Sequence, residues 1–333
     1  MEAAGKANAF WEVHMLRKIA HSIAAGLAAC SFAVMAQTAD AQQTFINILT
    51  GGTSGVYYPL GVAMSKIYAE TIEGARPQVQ STKASVENLN LLQQGRGEIA
   101  FSLGDSVQLA WEGSPEFGFP NKLDKLRGIA GIYPNYIQIV ASKESGIKTL
   151  ADLKGKGLSV GAPKSGTEVN ARTIFEAAGM SYDDLGKIEY LPFAESVELI
   201  KNRQLDATLQ SAGLGVASIR DLATSVPIQM VEVPKGVIEK LKAPYAAGTV
   251  PAGTYEGQNE DVTTVTVGNF LITHADVPEE LVYQMTKQLF ENLDQMVAAH
   301  NAARAIKLEN APKDLPVPLH PGAERYYREK GLM

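Results

Sequence analysis

Cysteine is almost absent from this sequence, since Cys30 is the only one among 333 residues. A single cysteine cannot form a disulfide within the chain. Because Cys30 lies in a predicted N-terminal leader described below, the processed chain would also have no thiolate for chemistry. We therefore expect ordinary hydrophobic cores to stabilise the fold, and the chain is long enough for two domains of common size.

Histidine is scarce as well, with five in the whole chain. Two lie in the predicted leader, and His274, His300 and His320 are scattered near the C-terminus. The sequence contains no G-x-S-x-G or H-E-x-x-H motif and no His pair with metal-ligand spacing. It therefore predicts a protein that is not an enzyme and has neither a metal site nor a cofactor. The less favoured alternative is an enzyme whose active site is built from residues that lie far apart in the sequence and form no recognisable motif. Turnover of an organic acid by the purified protein would support this alternative.

Basic clusters are also lacking. The chain has 30 Lys and Arg against 36 Asp and Glu, for a net charge of -6, and the predicted leader removes as many acidic as basic residues. Such a mildly acidic chain is a poor candidate for nucleic-acid binding. After the leader no apolar run reaches the length of a membrane span, so the sequence predicts a soluble processed protein.

The N-terminal segment has the pattern of a secretory signal peptide. A basic pair, Arg17-Lys18, precedes an apolar stretch over 19–35 and an Ala-x-Ala site that ends at Ala41. We therefore interpret residues 1–41 as an upstream extension and a signal peptide cleaved after Ala41, and expect a periplasmic protein. The letters LAAC, ending at Cys30, leave open a lipoprotein tether, which the mass of the mature N-terminus would decide.

The rest of the chain repeats one order of elements. An apolar strand over 45–49 leads into the glycine loop TGGTSGVYYPLG at 50–61 and then a helix, and a second strand, helix and strand follow. The segment LSVGAPKSGTEVNARTIFEAAG at 158–179 begins the same order again. Alternating strands and helices predict mainly parallel sheets flanked by helices, and two such units predict two α/β lobes.

Two longer strands are predicted to connect these lobes, over 136–141 and 263–273. We expect them to pair and to form a hinge, which would permit closure over a ligand. The predicted boundaries are 42–135 with 266–333 for the first lobe, and 136–265 for the second lobe.

The glycine loop has the chemistry of an anion site. Backbone N–H groups at a helix N-terminus are unpaired, and glycine lets a ligand approach them closely. Residues 52–55 could therefore hold a carboxylate oxygen without a basic side chain, and hydroxyl groups could add hydrogen bonds. The candidate residues of this loop are Gly52, Thr53, Ser54, Gly55 and Tyr57. A tight turn without a ligand is the alternative.

The second loop offers a matching set, and further candidates follow the predicted strands. The second loop contributes Ser165, Gly166, Thr167 and Glu168. Glu168 could bind an amino group of the ligand or could merely complement the helix dipole. Candidates near other strand ends are Ser85, Asn88, Asp105, Gln210, Ser211, Tyr245 and Tyr255, each of which could instead be a cap, turn or packing residue.

Nucleotide motifs fit these loops poorly. Thr50 stands where G-x-G-x-x-G requires its first glycine, and Ser81 and Thr82 stand where a ribose-binding acid is required. In GAPKSGTE, Thr167 follows Gly166 directly, so the lysine of a P-loop is missing. We therefore do not expect a nucleotide.

Four segments together resemble the TAXI class of solute receptors that serve TRAP transporters. They are TGGTSGVYYPLG, ENLNLLQQGRGEIAFSLGD, VGAPKSGTEVNAR and GTVPAGTYEGQNEDVTTVTVGNFL, and the resemblance covers nearly all of 44–330. It implies a two-lobed type II periplasmic-binding-protein fold without catalysis. It also implies that an organic acid or acidic amino acid is delivered to membrane permease subunits. We expect a monomer, and a secreted sensor for a signalling receptor is the alternative.

Overall fold

The computed structural model describes residues 43–333. The predicted signal peptide over 1–41, its cleavage after Ala41 and the tether at Cys30 lie outside the described residues. Among the described residues no helix has the length and apolar character needed to cross a membrane.

The strands of the described chain form one ten-stranded mixed sheet. They are β1 (Thr44–Leu49), β2 (Ala75–Gln80), β3 (Ile99–Leu103), β4 (Leu126–Ser142), β5 (Gly157–Ser159), β6 (Lys187–Glu189), β7 (Ala207–Ala212), β8 (Ile228–Val231), β9 (Tyr245–Val250) and β10 (Val262–His274). Their order is β2-β1-β3-β10-β4-β7-β5-β6, with β8 paired to β4 and β9 paired to β10.

Ten helices cover the sheet within residues 43–333. They are α1 (Tyr57–Thr71), α2 (Ser85–Gln93), α3 (Gly104–Glu112), α4 (Gly166–Ala177), α5 (Phe193–Lys201), α6 (Ala217–Ser225), α7 (Lys235–Ile238), α8 (Glu279–Glu291), α9 (Leu293–Ala299) and α10 (Pro321–Glu329). Short 3-10 turns, such as Leu150–Leu153, connect several of them.

The sheet contains the internal repeat that the sequence predicts. In what we call the first half, β1 lies between β2 and β3 and pairs with both in parallel. In the second half, β5 lies between β6 and β7 and again pairs with both in parallel. Helices α1 to α3 follow the strands of the first half, and α4 to α6 follow those of the second half. Each half therefore has the same strand order.

Two long antiparallel strands connect the halves. β10 pairs with β3 of the first half and with β4, and β4 pairs with β7 of the second half. Tyr136 is the residue where β4 changes partner, because it pairs with both Thr266 and Ala212. The two connecting strands therefore pair, but through 126–136 of β4, because the predicted segment 136–141 pairs with β10 only at Tyr136 and otherwise pairs with β7 and β8. The predicted lobe boundaries stay a prediction.

Three clusters of buried apolar side chains form the core. One fills the second half between β5, β7 and α4, and includes Leu158, Leu209 and Phe175. A second lies under α2 and α3, and includes Leu92 and Phe119. The largest cluster continues from α1 to α5 and α6, so both halves contribute to it.

The start of α2 differs from its predicted form. Ser85, taken as a possible N-cap, is instead the first residue of α2 and follows Ala84, whose φ is 72°. Its hydroxyl accepts a hydrogen bond from the Leu103 N–H at 3.1 Å and ties α2 to the end of β3.

Candidate functional site

A cavity of about 300 Å³ lies where the carboxyl ends of the parallel strands of both halves meet. In open α/β sheets ligands bind at such strand ends, where the strand order reverses. Ten of the predicted ligand residues line the cavity: Gly52, Thr53, Ser54, Gly55, Tyr57, Ser85, Ser165, Gly166, Thr167 and Ser211. The structure therefore brings the two Ser-Gly loops to one shared space.

Five helices begin at the wall of this cavity. The residues that immediately precede them are Val56, Ala84, Leu103, Ser165 and Pro192, and all five line the cavity. The first N–H groups of each helix have no acceptor within the helix, and each dipole favours an anion by roughly 0.3–1 kcal/mol. The cavity is therefore electropositive through its backbone.

Side-chain charge contributes little to the cavity. Among the residues that line it, only Lys83 and Glu195 carry a formal charge, and both are exposed. An anion in the cavity would therefore be held by amides and hydroxyls.

The inner wall is built by a hydrogen-bonded chain of side chains across the central strands. Tyr57 stacks on Phe101 with ring centroids 5.0 Å apart, and its hydroxyl donates to Asn269 Oδ1. Asn269 donates through Nδ2 to Asn135 Oδ1 at 2.7 Å. Asn135 in turn donates to the carbonyl of Ser211 at 2.9 Å. The Tyr57 hydroxyl is thus engaged within the protein, while its ring remains in the wall.

A β-bulge places Tyr133 at the cavity. Gly268 pairs with Pro134 and Phe270 pairs with Gly131, so two residues of β4 lie opposite the single residue Asn269. Such an extra residue re-orients the side chains of the bulged strand. Tyr133 lines the cavity and is 3% exposed, and its hydroxyl has no hydrogen-bond partner among the described residues.

Direct contacts join the two halves around the cavity. The Glu87 N–H of α2 donates to the Lys164 carbonyl of the second loop at 3.2 Å. A Cβ atom added at Gly166 would lie 2.6 Å from the Ser85 hydroxyl, so only glycine permits this approach. The Arg172 guanidinium of α4 donates to the Glu116 carbonyl at 2.8 Å. The two halves are thus in direct contact beside the cavity, an arrangement that we call closed.

Asn88 does not line the cavity, because its side chain braces the first half. Its Nδ2 donates to the carbonyls of Thr50 at 2.7 Å and Phe101 at 2.9 Å. Its Oδ1 accepts from the Thr82 hydroxyl at 2.6 Å. Both ends of the amide are therefore used inside the protein.

Glu168 and Gln210 are also absent from the cavity wall. The Glu168 carboxylate forms an ion pair with Arg172 at 2.7 Å and accepts from the Tyr182 hydroxyl at 3.3 Å. Gln210 accepts from the Ser218 hydroxyl at 2.6 Å.

Asp105 and Tyr245 meet outside the cavity wall. Asp105 Oδ2 accepts from the Tyr245 hydroxyl and from Asn170 Nδ2, each at 2.6 Å. Burial raises the pKa of Asp105 to about 6, although the hydrogen bond from Tyr245 opposes the shift. Tyr255 likewise faces the protein interior, since its hydroxyl donates to Gln138 Oε1.

Several residues of the wall were not predicted. They are Gly51, Val56, Ser81, Thr82, Lys83, Ala84, Leu103, Tyr133, Asn135, Ala162, Pro192, Phe193, Ala194, Glu195 and Ala212. The segments 81–84 and 192–195 follow β2 and β6, which are the second strands of the two halves. Because they occupy equivalent positions in the repeat, the sequence could have identified both segments. Tyr133 and Asn135 gave no such signal, because they lie inside β4.

Among the residues that the structure describes, no group of three or more His, Cys, Asp or Glu side chains is arranged to hold a metal ion.

Comparison with known proteins places the chain in a family. The model of the NMT1-like family matches residues 48–331, which is most of the chain, and the chain therefore belongs to this family.

Several solved structures have a similar fold. The chain is similar to the periplasmic binding protein BugD, with a TM-score of 0.55 and 12% identity over 86% of this chain and 94% of that chain. It is similar to a protein from Bordetella bronchiseptica RB50, with a TM-score of 0.52 and 15% identity over 88% and 83% of the two chains. A structure described as a periplasmic transporter gives 0.52 and 11% over 86% and 93%. The expected type II periplasmic-binding-protein fold is confirmed.

Proposed function

We propose that this member of the NMT1-like family is an extracytoplasmic solute receptor that captures a small carboxylate-bearing solute by closure of its two halves. One observation carries the proposal, namely that both Ser-Gly loops and five helix N-termini surround one cavity. The similar fold of a periplasmic binding protein supports a binding role and a periplasmic location. The signal-peptide pattern of residues 1–41 supports export.

The chemistry of the wall supports an anionic solute. Among the residues that the structure describes, Lys83 is the only cation that lines the cavity, and it is exposed. A carboxylate bound by main-chain amides and Ser or Thr hydroxyls matches the groups that are present. An organic acid or an acidic amino acid is therefore the proposed solute class.

Delivery to the permease subunits of a TRAP transporter is the proposed next step. The four segments that resemble TAXI receptors support it, and we propose a monomer without a cofactor. A secreted sensor that presents the solute to a signalling receptor uses the same closure. Uptake of the solute by cells with and without this protein separates the two roles.

Calorimetry of residues 42–333 tests the receptor function. The protein is unfolded and refolded to remove retained solute, and is then titrated with succinate, L-glutamate, L-glutamine and succinamide. A micromolar Kd, equivalent to about -8 kcal/mol, is expected for at least one acid. Succinamide is the matched neutral control and should bind at least tenfold more weakly than succinate. Equal affinity for acid and amide would contradict the proposed solute class.

Scattering tests the closure itself. The radius of gyration should fall when a bound acid reaches saturation, because the two halves close around it. An unchanged radius of gyration with saturating acid would contradict closure.

A further inference from the structure

A buried carboxyl group connects the two halves beside the cavity without lining it. Asp105 lies in the first turn of α3 in the first half and is 3% exposed. Its two hydrogen-bond donors come from the other side, since Asn170 belongs to α4 and Tyr245 packs against the core of the second half. The three side chains therefore meet only when the halves are closed.

No positive charge compensates this carboxyl group. Arg172 is the cation nearest in sequence to Asn170, but it turns to Glu168 at 2.7 Å and to the Glu116 carbonyl at 2.8 Å. A buried carboxylate without a cation is costly, and proteins commonly avoid that cost by binding a proton.

The neighbouring groups are neutral. Tyr245 from β9 and Tyr57 from α1 are the titratable groups that act on Asp105, and burial raises the pKa of both. Thr173 of α4 lies beside the Tyr245 hydroxyl. The β10 strand presents Phe270 to the start of α3. The N-terminus of α3 and the N–H and hydroxyl of Ser106 favour the ionised form of Asp105, but burial outweighs them, and no formal positive charge among the described residues adds to them.

The hydrogen-bond pattern leaves space for a proton. Asp105 Oδ1 and Asn170 Oδ1 both have no hydrogen-bond partner among the described residues. Two acceptors cannot bond to each other, whereas a protonated carboxyl is a donor. Because an amide oxygen and nitrogen can exchange places by rotation, Asn170 Oδ1 can accept from protonated Asp105 while Tyr245 continues to donate. Protonation thus gives Asn170 Oδ1 a donor and keeps the contact between the two side chains.

We propose that closure around the solute takes up one proton from water at the Asp105 carboxyl, so that solute binding and proton binding are coupled. This coupling rests on the proposed closure. An O–H bond forms on Asp105 as a buffer acid loses its proton, and opening of the halves reverses the step.

The direction of the pH effect follows from the two states. In the closed form the pKa of Asp105 is about 6. An open, hydrated carboxyl has an ordinary pKa of about 3.9. The closed form therefore binds more protons between these values, and its advantage falls as the pH rises from about 4 to 6. The difference of about two pKa units corresponds to a roughly 100-fold weaker closure at pH 8 than at pH 4.

Calorimetry in buffers of different ionisation enthalpy measures the coupling directly. L-Glutamate is the probe, because its carboxyl groups are mostly ionised at pH 5, and each titration is run in acetate and in MES at pH 5 and in phosphate and in Tris at pH 8. Uptake of about 0.8 proton is expected at pH 5 and almost none at pH 8. Binding of a probe without proton uptake at pH 5 would overturn the proposal while leaving the receptor function intact.

The variant Asp105→Asn replaces the carboxyl with a neutral group of the same shape. It should take up no proton at either pH, and at pH 8 it should bind the probe up to roughly 100-fold more tightly than the unaltered protein. Asp221→Asn is the matched control, because Asp221 is exposed on α6 and pairs with Lys201. The control should retain the proton uptake at pH 5. Proton uptake by Asp105→Asn at pH 5 equal to that of the unaltered protein would also overturn the proposal.

NMR follows the proton at Asp105 itself. The ¹³C chemical shift of the Asp105 carboxyl, followed between pH 3 and 8, should titrate at about 3.9 in the open protein without solute and at about 6 with saturating L-glutamate. With the probe bound, Tyr245→Phe should raise the pKa further, since it removes the hydrogen bond that stabilises the ionised form. If no probe binds at any pH, the proposed solute class fails and the coupling fails with it. A titration at about 3.9 with the probe bound would show that Asp105 stays ionised and would reject the coupling alone.

Discussion

The close approach of the two halves at Gly166 provides the sharpest test of closure. Gly166 is the first residue of α4, and an added Cβ would lie 2.6 Å from Leu103 Cδ1 and 2.9 Å from Ser85 Cβ. Both contacts are with the first half, whereas Gly166 belongs to the second half. Gly166→Ala should therefore disturb the closed form and leave the open form undisturbed.

The magnitude follows from comparing two effects of the same methyl group. Within a helix, Gly to Ala normally stabilises by about 0.4–1 kcal/mol, because it restricts the unfolded chain. Across the cavity the Leu103 side chain can rotate away, but Ser85 is held by its bond to the Leu103 N–H at 3.1 Å. Overpacking of this kind costs about 1–3 kcal/mol. We expect solute affinity to fall by roughly 5- to 150-fold.

The assay compares solute affinity with stability. Titration calorimetry with the carboxylate that binds best should show the loss of affinity, and scattering should show a larger radius of gyration at equal saturation. The free energy of unfolding without solute should stay within about 1 kcal/mol of the unaltered value. Gly236→Ala in α7 is the control, because no atom lies within 4 Å of its added Cβ.

A second change tests the assigned cause. Ser85→Gly removes the atoms closest to the new methyl group, so it should restore part of the lost affinity when combined with Gly166→Ala. Such coupling is expected only between residues in contact. Unchanged affinity in Gly166→Ala would refute the reasoning, as would equal losses in the single and double variants.

Two further predictions concern stability, measured by urea unfolding without solute. Tyr133→Phe removes a buried hydroxyl without a partner and should raise the free energy of unfolding by about 1 kcal/mol, whereas Tyr57→Phe removes a hydrogen bond to Asn269 and should lower it by about 1 kcal/mol. Equal signs for the two variants would contradict the assigned hydrogen bonds. Asn88→Ala should lower the free energy of unfolding by about 2–3 kcal/mol, because two buried carbonyls lose their donor. A loss below 0.5 kcal/mol would show that Asn88 does not brace the first half.

The repeat of elements was predictable because it is local in sequence. Strand, glycine loop and helix follow one another within 28 residues at 44–71 and within 21 residues at 157–177, so periodicity and turn residues identify them. The shared position of the two Ser-Gly loops then follows from the rule that parallel strands present their carboxyl ends at one edge.

The roles of individual side chains near the cavity depended on contacts between distant segments, which cannot be read from the sequence. Asp105 was a candidate for the ligand because it follows a strand, but Asn170 and Tyr245, which are far from it in the chain, engage its carboxylate. Tyr133 lies within an apolar strand and reaches the wall only through a bulge in the pairing of β4 with β10. Pairing register and partner choice between distant segments decided both outcomes.

The use of backbone amides instead of a buried cation fits a protein that must also exist without solute. A lysine or arginine in the cavity would lose its solvation whenever the empty halves closed, and an unpaired buried charge is strongly destabilising. Helix N-termini carry only partial charge, and water satisfies them when the halves are open. Lys83 and Glu195 remain exposed even in the closed arrangement, so neither is buried without a partner. The one buried ionisable carboxyl that joins the two sides, Asp105, avoids the same penalty through the proton that we assign to it.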